Sequence, residues 1–263
     1  MIRRSSAVLA LAAGAAMLVG ACNSSAPGPA LTDPKEILTA ALKSTEAAKS
    51  VHVDVTVDGK ATIKLPGAGS GPGTTVDLAG TTASADIDLA KKAADARFSA
   101  KVSVLTVAGQ VIAVDGKTYT KTTLTGPLYQ ESTAAGSPVD PGNAGGIIDN
   151  LGDVLLKDAG ALVKGEDAAC GSEQCYTVTT TLSPDELGLT GVGAAASLPI
   201  DLTGATVKVT AAVEKDLPYH LAGVTAVLTT PDGNAVTVEL VTSKWDEPVS
   251  ISAPPAAQVK PAS

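Results

Sequence analysis

The stretch from Val51 to Asp58 reads VHVDVTVD, and its pattern decides the class of fold. Every second residue is a valine, and the residues between the valines are polar. Successive side chains of a β-strand point to opposite faces, so this period of two predicts a strand with one apolar and one wet face. Such strands are typical of antiparallel sheets that are covered on one side only.

The same alternation recurs in three further stretches along the chain. They read RFSAKVSV (97–104), ATVKVTAAVE (205–214) and NAVTVEL (234–240). The apolar face of the first stretch carries Phe98, Ala100, Val102 and Val104. Tight hairpin turns are predicted at Asp-Gly dipeptides, because both residues tolerate the left-handed backbone that such turns require. These dipeptides are Asp58-Gly59, Asp115-Gly116 and Asp232-Gly233.

Two helices are predicted beside the strands. The first begins after Asp33, which is suited to cap it, with Pro34 at the first helical position and Glu36 completing a capping box. The second lies within 140–160, where Asp-Pro opens it and internal glycines weaken it, so that it depends on tertiary contacts. Its apolar face carries Ile147, Ile148, Leu151, Leu155 and Leu156.

The apolar surface of the strands exceeds what the helices can cover. About ten strands and about two helices would leave a flat sheet with far more exposed apolar area than the few hundred Å² tolerated on a soluble monomer. The sheet is therefore expected to curl around the helices. Aromatic residues make up only 2% of the chain, so small side chains leave a space inside, although tight closure or dimerisation would satisfy the same arithmetic. The predicted fold is α+β: a strongly curved antiparallel β-sheet, or half-barrel, that wraps a few helices around a hydrophobic cavity.

The N-terminal segment predicts export. Arg3 and Arg4 precede an uncharged apolar stretch, which is the arrangement of a secretory signal peptide. The stretch is shorter than the roughly 20 apolar residues of a membrane span. Its end, LVGAC (18–22), resembles a bacterial lipobox, in which Cys22 receives diacylglycerol and becomes the mature N-terminus. We expect attachment by lipid to the outer face of the cytoplasmic membrane, within the cell envelope, with partial release left open.

These features divide the chain into four parts. A signal peptide covers 1–21, and the lipidated cysteine with a flexible Ser/Pro/Gly tether covers 22–32. A single domain covers 33–252, and the Pro- and Ala-rich end, 253–263, is expected to be a disordered tail.

Charge and cysteine usage exclude several functions. The net charge of −8 leaves no basic stripe for nucleic acid and argues against charge-driven docking on anionic lipid. With Cys22 acylated, Cys170 and Cys175 remain as a pair in an oxidising space, which predicts a local disulfide in CGSEQC. A redox-active pair usually has CxxC spacing, and two histidines are too few for a soft-ligand metal site, so neither metal nor cofactor is expected.

Several motifs, in their order along the chain, resemble the LppX/LprAFG family of mycobacterial cell-envelope lipoproteins. They are the acylated cysteine, the capped first helix, AKSVHVDVTVDGK (48–60), VIAVDGKTY (111–119), the second helix and SKWDEPVSI (243–251), of which the last is the most specific. The resemblance implies a half-barrel related in shape to the LolA and LolB carriers, with a hydrophobic pocket for the acyl chains of complex envelope lipids. The scarcity of aromatic residues and the CGSEQC loop depart from the family and leave the lipid open.

The sequence is interpreted as a membrane-anchored carrier or chaperone of acylated lipids or glycolipids, which moves them from the cytoplasmic membrane toward the outer envelope. No catalytic motif is found in it, so no enzyme activity is expected. By resemblance, one strand and the second helix flank the pocket. This assigns acyl-chain contact to Phe98, Ala100, Val102, Val104, Ile147, Leu151 and Leu155. The alternative is a non-transporting envelope lipoprotein, a scaffold or adhesin, whose core is filled; donor, acceptor and any transporter partner stay open.

Overall fold

The structure is a computed structural model that describes residues 29–63, 74–102, 105–133, 155–156, 162–184, 186 and 202–260. The described part contains helix α1 (Pro34–Ala47), a sheet of 13 strands and a short 3-10 helix (Ala256–Gln258). The strands are β1 (Ser50–Ile63), β2 (Thr74–Asp77), β3 (Thr81–Asp88), β4 (Ala93–Val102), β5 (Leu105–Val114), β6 (Lys117–Thr122), β7 (Gln130–Thr133), β8 (Val163–Lys164), β9 (Ala168–Cys170), β10 (Glu173–Leu182), β11 (Thr206–Glu214), β12 (Leu221–Thr229) and β13 (Ala235–Ser243).

The strands form one antiparallel sheet, as the alternating pattern predicts. Its order is β7-β6-β5-β4-β3-β1-β13-β12-β11-β10-β8, while β2 and β9 pair with β1 and β10 outside this order. The first long strand therefore lies in the middle of the sheet, beside the last one. Of the predicted second helix, the described residues include only Leu155 and Leu156, which are helical, and its other positions lie outside the described residues.

Helix α1 begins where the sequence predicts. The Asp33 carboxylate accepts hydrogen bonds from the backbone N–H groups of Lys35 (2.8 Å) and Glu36 (3.1 Å), which satisfies two donors that the first turn leaves free. One side of the helix packs on β10, β11 and β12. Its buried apolar side chains are Ile37, Leu38 and Ala41. We call the sheet face under α1 the helix face and the opposite one the polar face.

Two tyrosines hold the segment that precedes α1. The Tyr219 hydroxyl donates to the Pro29 carbonyl (2.9 Å), and the Leu31 N–H donates to the Tyr176 hydroxyl (3.0 Å). Tyr219 belongs to the connection between β11 and β12, at the end of the sheet where α1 also leads into β1. We call this the closed end and the opposite end, where β4 leads toward β5, the open end.

Of the three turns predicted at Asp-Gly dipeptides, two are confirmed and one is wrong. Asp115-Gly116 and Asp232-Gly233 lie in the β5–β6 and β12–β13 turns, and both residues of the first have positive φ (53° and 72°). The turn predicted at Asp58-Gly59 is wrong, because β1 continues through it to Ile63. Gly59 pairs with Val236 there at φ 112°, and a Cβ on it would lie 2.1 Å from the Ala235 carbonyl oxygen. The glycine thus serves a close approach of two strands.

Residues 251–260 near the C-terminus pack against the sheet, which differs from the disorder expected from residue 253 onward. Val259 pairs with Tyr129, and the Lys260 N–H donates to the Tyr129 carbonyl (2.8 Å). Val259 and Ile251 pack on the polar face against a small buried cluster of Ile112, Tyr119 and Tyr129. Burial of these apolar side chains accounts for the order that composition alone did not predict.

An ion pair in the β3–β4 turn gives the fold a pH dependence. Asp88 is buried, and its carboxylate accepts hydrogen bonds from the backbone N–H (2.8 Å) and the ammonium group (3.0 Å) of Lys91. These bonds lower the pKa of Asp88 below its ordinary value of 3.8. A group with a lowered folded-state pKa stabilises the fold above its unfolded pKa, and this contribution is lost as the pH falls through the folded-state pKa.

We expect Asp88→Asn to lower the free energy of unfolding by about 1 kcal/mol at neutral pH, because a charged hydrogen-bond acceptor is lost. The difference from the wild type should shrink as the pH falls below 3.8 and vanish below the lower folded-state pKa, because only there is the folded wild-type carboxyl also neutral. Urea unfolding of both proteins at neutral pH and at a pH below the folded-state pKa measures this difference in the free energy of unfolding. Lys91→Gln is a second variant of the same pair. An equal loss at both pH values would contradict this account.

Candidate functional site

The helix face carries the largest buried core of the described residues. Alternate residues of β10 and β11 lie under α1, and Leu155 joins them with 6% of its surface exposed. The strand members of this core are Tyr176, Val178, Leu182, Val207, Val209, Ala211, Val213 and Leu221. This part of the sheet is closed by the packing of mostly aliphatic side chains.

The same face continues as an apolar surface beyond α1. Val55 of β1 pairs with Leu240 of β13 on one side and with Ala83 of β3 on the other. Ala83 pairs with Phe98 of β4, and Phe98 pairs with Gly109 of β5. Because cross-strand partners project to the same face, these residues form one apolar row across five strands.

Burial on this surface decreases from the closed end to the open end. On β1, Val51 is fully buried, whereas Val55 and Val57 are half-buried. On β5, Val111 is buried but Leu105 is 53% exposed. We call nine of the half-buried residues on this face the apolar wall. They are Val55, Val57, Ala83, Ala85, Ala96, Phe98, Ala100, Val107 and Leu240.

Trp245 packs between two buried clusters at the closed end. Its ring stacks on His220, with centroids 4.8 Å apart and planes 6° from parallel, and it packs against both the α1 core and a cluster around Val51. The loop that carries it is tied to the start of β1. The Asp246 N–H donates to the Ser50 carbonyl (3.0 Å), and the Asp246 carboxylate accepts from the Lys49 N–H (2.7 Å).

The only phenylalanine of the chain, Phe98, lies over Gly109 in the apolar wall. A Cβ on Gly109 would come within 2.7 Å of Phe98 Cζ and of the Lys121 carbonyl oxygen. An aromatic ring laid across a strand glycine covers backbone that would otherwise stay bare. Phe98 is therefore part of the wall surface, and Gly109 provides the space for its ring.

The structure places Leu155 apart from the strand residues that the sequence assigns to the same pocket. Phe98 and Ala100 lie in the apolar wall, and Val102 occupies the next position of the same strand row, although its side chain is not described. Leu155 lies in the core beneath α1, and β3, β1 and β13 separate β4 from that core. The positions Val104, Ile147, Leu151 and Cys22 lie outside the described residues.

The sequence interpretation leaves out the wall residues of β1, β3 and β13, such as Val55, Ala83 and Leu240. The alternation that marks Val55 and Leu240 is visible in the sequence, and it predicts their face correctly. Their membership in one surface with Phe98 depends on the strand order, which joins the first and last long strands in mid-sheet. No local pattern carries that information.

Cys170 and Cys175 form a disulfide across the β9–β10 hairpin, with their Cα atoms 5.8 Å apart. Beside it, a groove of about 910 Å³ is lined by polar groups that include Glu173, Glu214 and His220. Burial, followed by the nearby carboxylates of Glu214 and Asp216, raises the pKa of Glu173.

Two histidines on this protein have acidic neighbours. His220 Nδ1 lies 3.4 Å from Glu214 Oε2, and His52 Nδ1 lies 2.6 Å from Asp86 Oδ1 on the polar face. In the ranges that the structure describes, no three or more histidine, cysteine or acidic side chains are grouped so as to hold a metal ion. No helix in those ranges combines the length and the apolar character needed to span a bilayer.

We expect Gly109→Ala and Phe98→Ala to be coupled. Gly109→Ala alone should lower the free energy of unfolding by about 1–3 kcal/mol, because the added methyl overpacks the ring. In the Phe98→Ala background the ring is gone, so Gly109→Ala should lower the free energy of unfolding by less. The loss that remains comes from the contact of the new methyl group with the Lys121 carbonyl oxygen. A double-mutant cycle of denaturant unfolding measures the coupling, and strictly additive losses would contradict the contact.

Comparison with known proteins identifies relatives of this chain. A family model described as LppX_LprAFG lipoprotein matches residues 33–251. The crystal structure of LprF from Mycobacterium bovis is 22% identical, with a TM-score of 0.52 over 87% of this chain and 99% of that one. LppX from Mycobacterium tuberculosis is 16% identical, with a TM-score of 0.47 over 83% of this chain and 98% of that one.

A more distant structure, a LolA superfamily protein from Nitrosomonas europaea, is 8% identical, with a TM-score of 0.25 over 88% of this chain and 99% of that one. A search of curated protein sequences gives no significant match. The family match covers most of the chain, including every described strand, and the likeness to LprF shows the same fold. The chain therefore belongs to the LppX/LprAFG family of lipoproteins.

Proposed function

We propose that this protein is a membrane-anchored carrier that binds the acyl chains of envelope lipids or glycolipids on its apolar wall and moves them from the cytoplasmic membrane toward the outer envelope. The observation that supports this most is the gradient of burial on the helix face. Val51 is fully buried at the closed end, while the wall residues of the same strands remain half-buried toward the open end.

The chemistry of the wall suits acyl chains better than polar ligands. Its members are Val, Ala, Leu and Phe, so a ligand finds few hydrogen-bond partners there and gains affinity by leaving water. Each buried methylene contributes about 0.8 kcal/mol, so burying ten methylenes of one chain contributes roughly 8 kcal/mol. Four wall positions are alanines, whose small side chains leave room beside the sheet.

The remaining parts of the proposal concern the shape of the site. The sheet would curve as a half-barrel, and the second helix would face the wall through Ile147 and Leu151 to complete a cavity. The competing function is a scaffold or adhesin lipoprotein with a filled core. The burial of Leu155 in the same core as the α1 side chains favours that alternative for the part of the face that α1 covers.

Adding bulk to the wall distinguishes the two functions. Ala83 lies in the wall between Val55 and Phe98, whereas Thr82 beside it is exposed on the opposite face. In a filled core, Ala83→Trp should overpack and lower the free energy of unfolding by about 1–3 kcal/mol. In a lipid site the fold should survive, and organic extraction followed by mass spectrometry should recover less bound lipid than from the wild type.

The matched control is Thr82→Trp, which should leave both stability and extracted lipid unchanged. The carrier function requires that wild-type protein purified from its native envelope yields acylated lipid. Absence of extractable lipid, or undiminished lipid in a well-folded Ala83→Trp variant, would refute acyl-chain binding at the wall.

We also propose that Cys22 is the membrane anchor, after removal of a signal peptide over 1–21. Two or more acyl chains hold a protein stably on a bilayer where one does not. Globomycin, which blocks the lipoprotein signal peptidase, should cause a larger precursor to accumulate. Cys22→Ala should block lipid attachment, and labelling with radioactive palmitate followed by membrane fractionation measures this. Palmitate incorporation that persists in Cys22→Ala would exclude this anchor.

A further inference from the structure

Three leucines stand exposed at the open end of the sheet. Leu105 begins β5 and is 53% exposed, Leu124 is 70% exposed in the loop after β6, and Leu128 is 39% exposed in the same loop. The Thr123 N–H donates to the Ala108 carbonyl (2.8 Å), which holds this loop beside the start of β5. Leucine side chains in water are unfavourable, and several at one end of a molecule mark an interaction surface.

Basic side chains line a pocket next to the loop that carries Leu124 and Leu128. A shallow pocket of about 440 Å³ is lined by Arg97 and Lys121 together with the hydroxyl-bearing Thr122 and Thr123. The described residues that line it include no carboxylate. Lys101, near the end of β4, is also exposed at the same end of the sheet.

The two cations of the pocket are held by a chain of polar contacts on the polar face. Arg97 pairs with Asp95 at 3.3 Å, and the Gln110 amide donates to the same carboxylate (2.7 Å). The Tyr129 hydroxyl donates to the Gln110 carbonyl oxygen (2.7 Å). Lys121 Nζ lies 4.4 Å above the Tyr129 ring, as in a cation–π contact. Both cations therefore contact one connected set of side chains on the polar face, while the Arg97 side chain remains 68% exposed to solvent.

We propose that the open end docks on an anionic lipid surface, with Leu105, Leu124 and Leu128 entering the headgroup region. A headgroup phosphate would bind in the pocket of Arg97 and Lys121, where charge-assisted hydrogen bonds and the threonine hydroxyls suit it. The net charge of −8 argues against such docking only as an average over the chain. Within a Debye length of about 10 Å, the local charges decide the interaction.

The position of this surface connects it to the proposed carrier function, although docking does not depend on it. Leu105 belongs to the same strand row of β5 as Val107 and Gly109, so the apolar wall runs out to the docking surface without a polar interruption on that strand. An acyl chain leaving a docked bilayer would meet this row first. The docking surface thus lies where a lipid would enter or leave the wall.

Vesicle binding tests the proposal. Every described element lies between residues 29 and 260, so the test uses the chain from residue 23 onward, which lacks the anchor. It should co-sediment with vesicles of phosphatidylcholine mixed with phosphatidylglycerol more than with phosphatidylcholine alone. Binding should fall as salt is raised, because the Debye length shortens from about 10 Å at 0.1 M to about 3 Å at 1 M.

Substitutions at the surface should weaken the binding. Leu124→Ser should lower it about tenfold, since much of a leucine's burial is lost. Arg97→Gln and Lys121→Gln should each lower it about fivefold, as expected for one charge near an anionic surface. The matched controls are Val163→Ser, at a 62% exposed residue on a different strand, and Lys43→Gln, at an exposed position on α1. Both should bind as the wild type does, and thermal unfolding checks that each variant is folded.

A second measurement does not require a loss of binding. The chain contains one tryptophan, Trp245, so the additional emission of Leu124→Trp can be separated from the wild-type spectrum. That emission should shift to the blue when anionic vesicles are added. Equal binding to both vesicle types, no shift of Leu124→Trp, or surface variants that bind as tightly as the controls would overturn the proposal. Lipid extraction of the native protein decides acyl-chain binding separately, so either idea can fail alone.

Discussion

The helix face depends on the register in which β1 pairs with β13 on one side and β3 on the other. This register brings Val55 opposite both Leu240 and Ala83. A slip by one residue would turn Asp54 and Thr56 onto the helix face and its valines into water, so the alternation itself opposes the slip. The loop of Trp245 fixes the closed end of β1, and Gly59 admits the backbone of β13 near the other end.

The sequence predicts those structural features that depend on residues close together in the chain. Alternation, helix capping at Asp33 and the Cys170–Cys175 pair are local, and the structure has them as expected. The turn predicted at Asp58-Gly59 is wrong because the same dipeptide also suits a close approach inside a strand. The wall beyond Phe98 depends on contacts between β1 and β13, residues far apart in the chain, and these leave no trace in neighbouring sequence.

The low aromatic content has opposite effects in different parts of the sheet. Under α1, Val and Ala side chains interlock with the helix and close the core. Beyond α1, the same small residues leave the surface half-exposed. The only phenylalanine of the chain, Phe98, lies flat over Gly109 there and fills little of the space above the sheet. The same small side chains therefore form a buried core where α1 covers the sheet and a half-buried surface where it does not.

The tyrosines that hold the segment before α1 limit how the protein can stand on a bilayer. Pro29 is seven residues after Cys22, so this part of the tether spans at most about 25 Å. Pro29 is fastened at the closed end, and strands of ten residues such as β4 place the open end about 33 Å further away. With Cys22 as the proposed anchor, the domain cannot stand upright with its open end on the membrane that holds it. With that anchor, the open end would reach the membrane only if the domain lay on its side, and an upright domain would present its leucines to a surface on the other side.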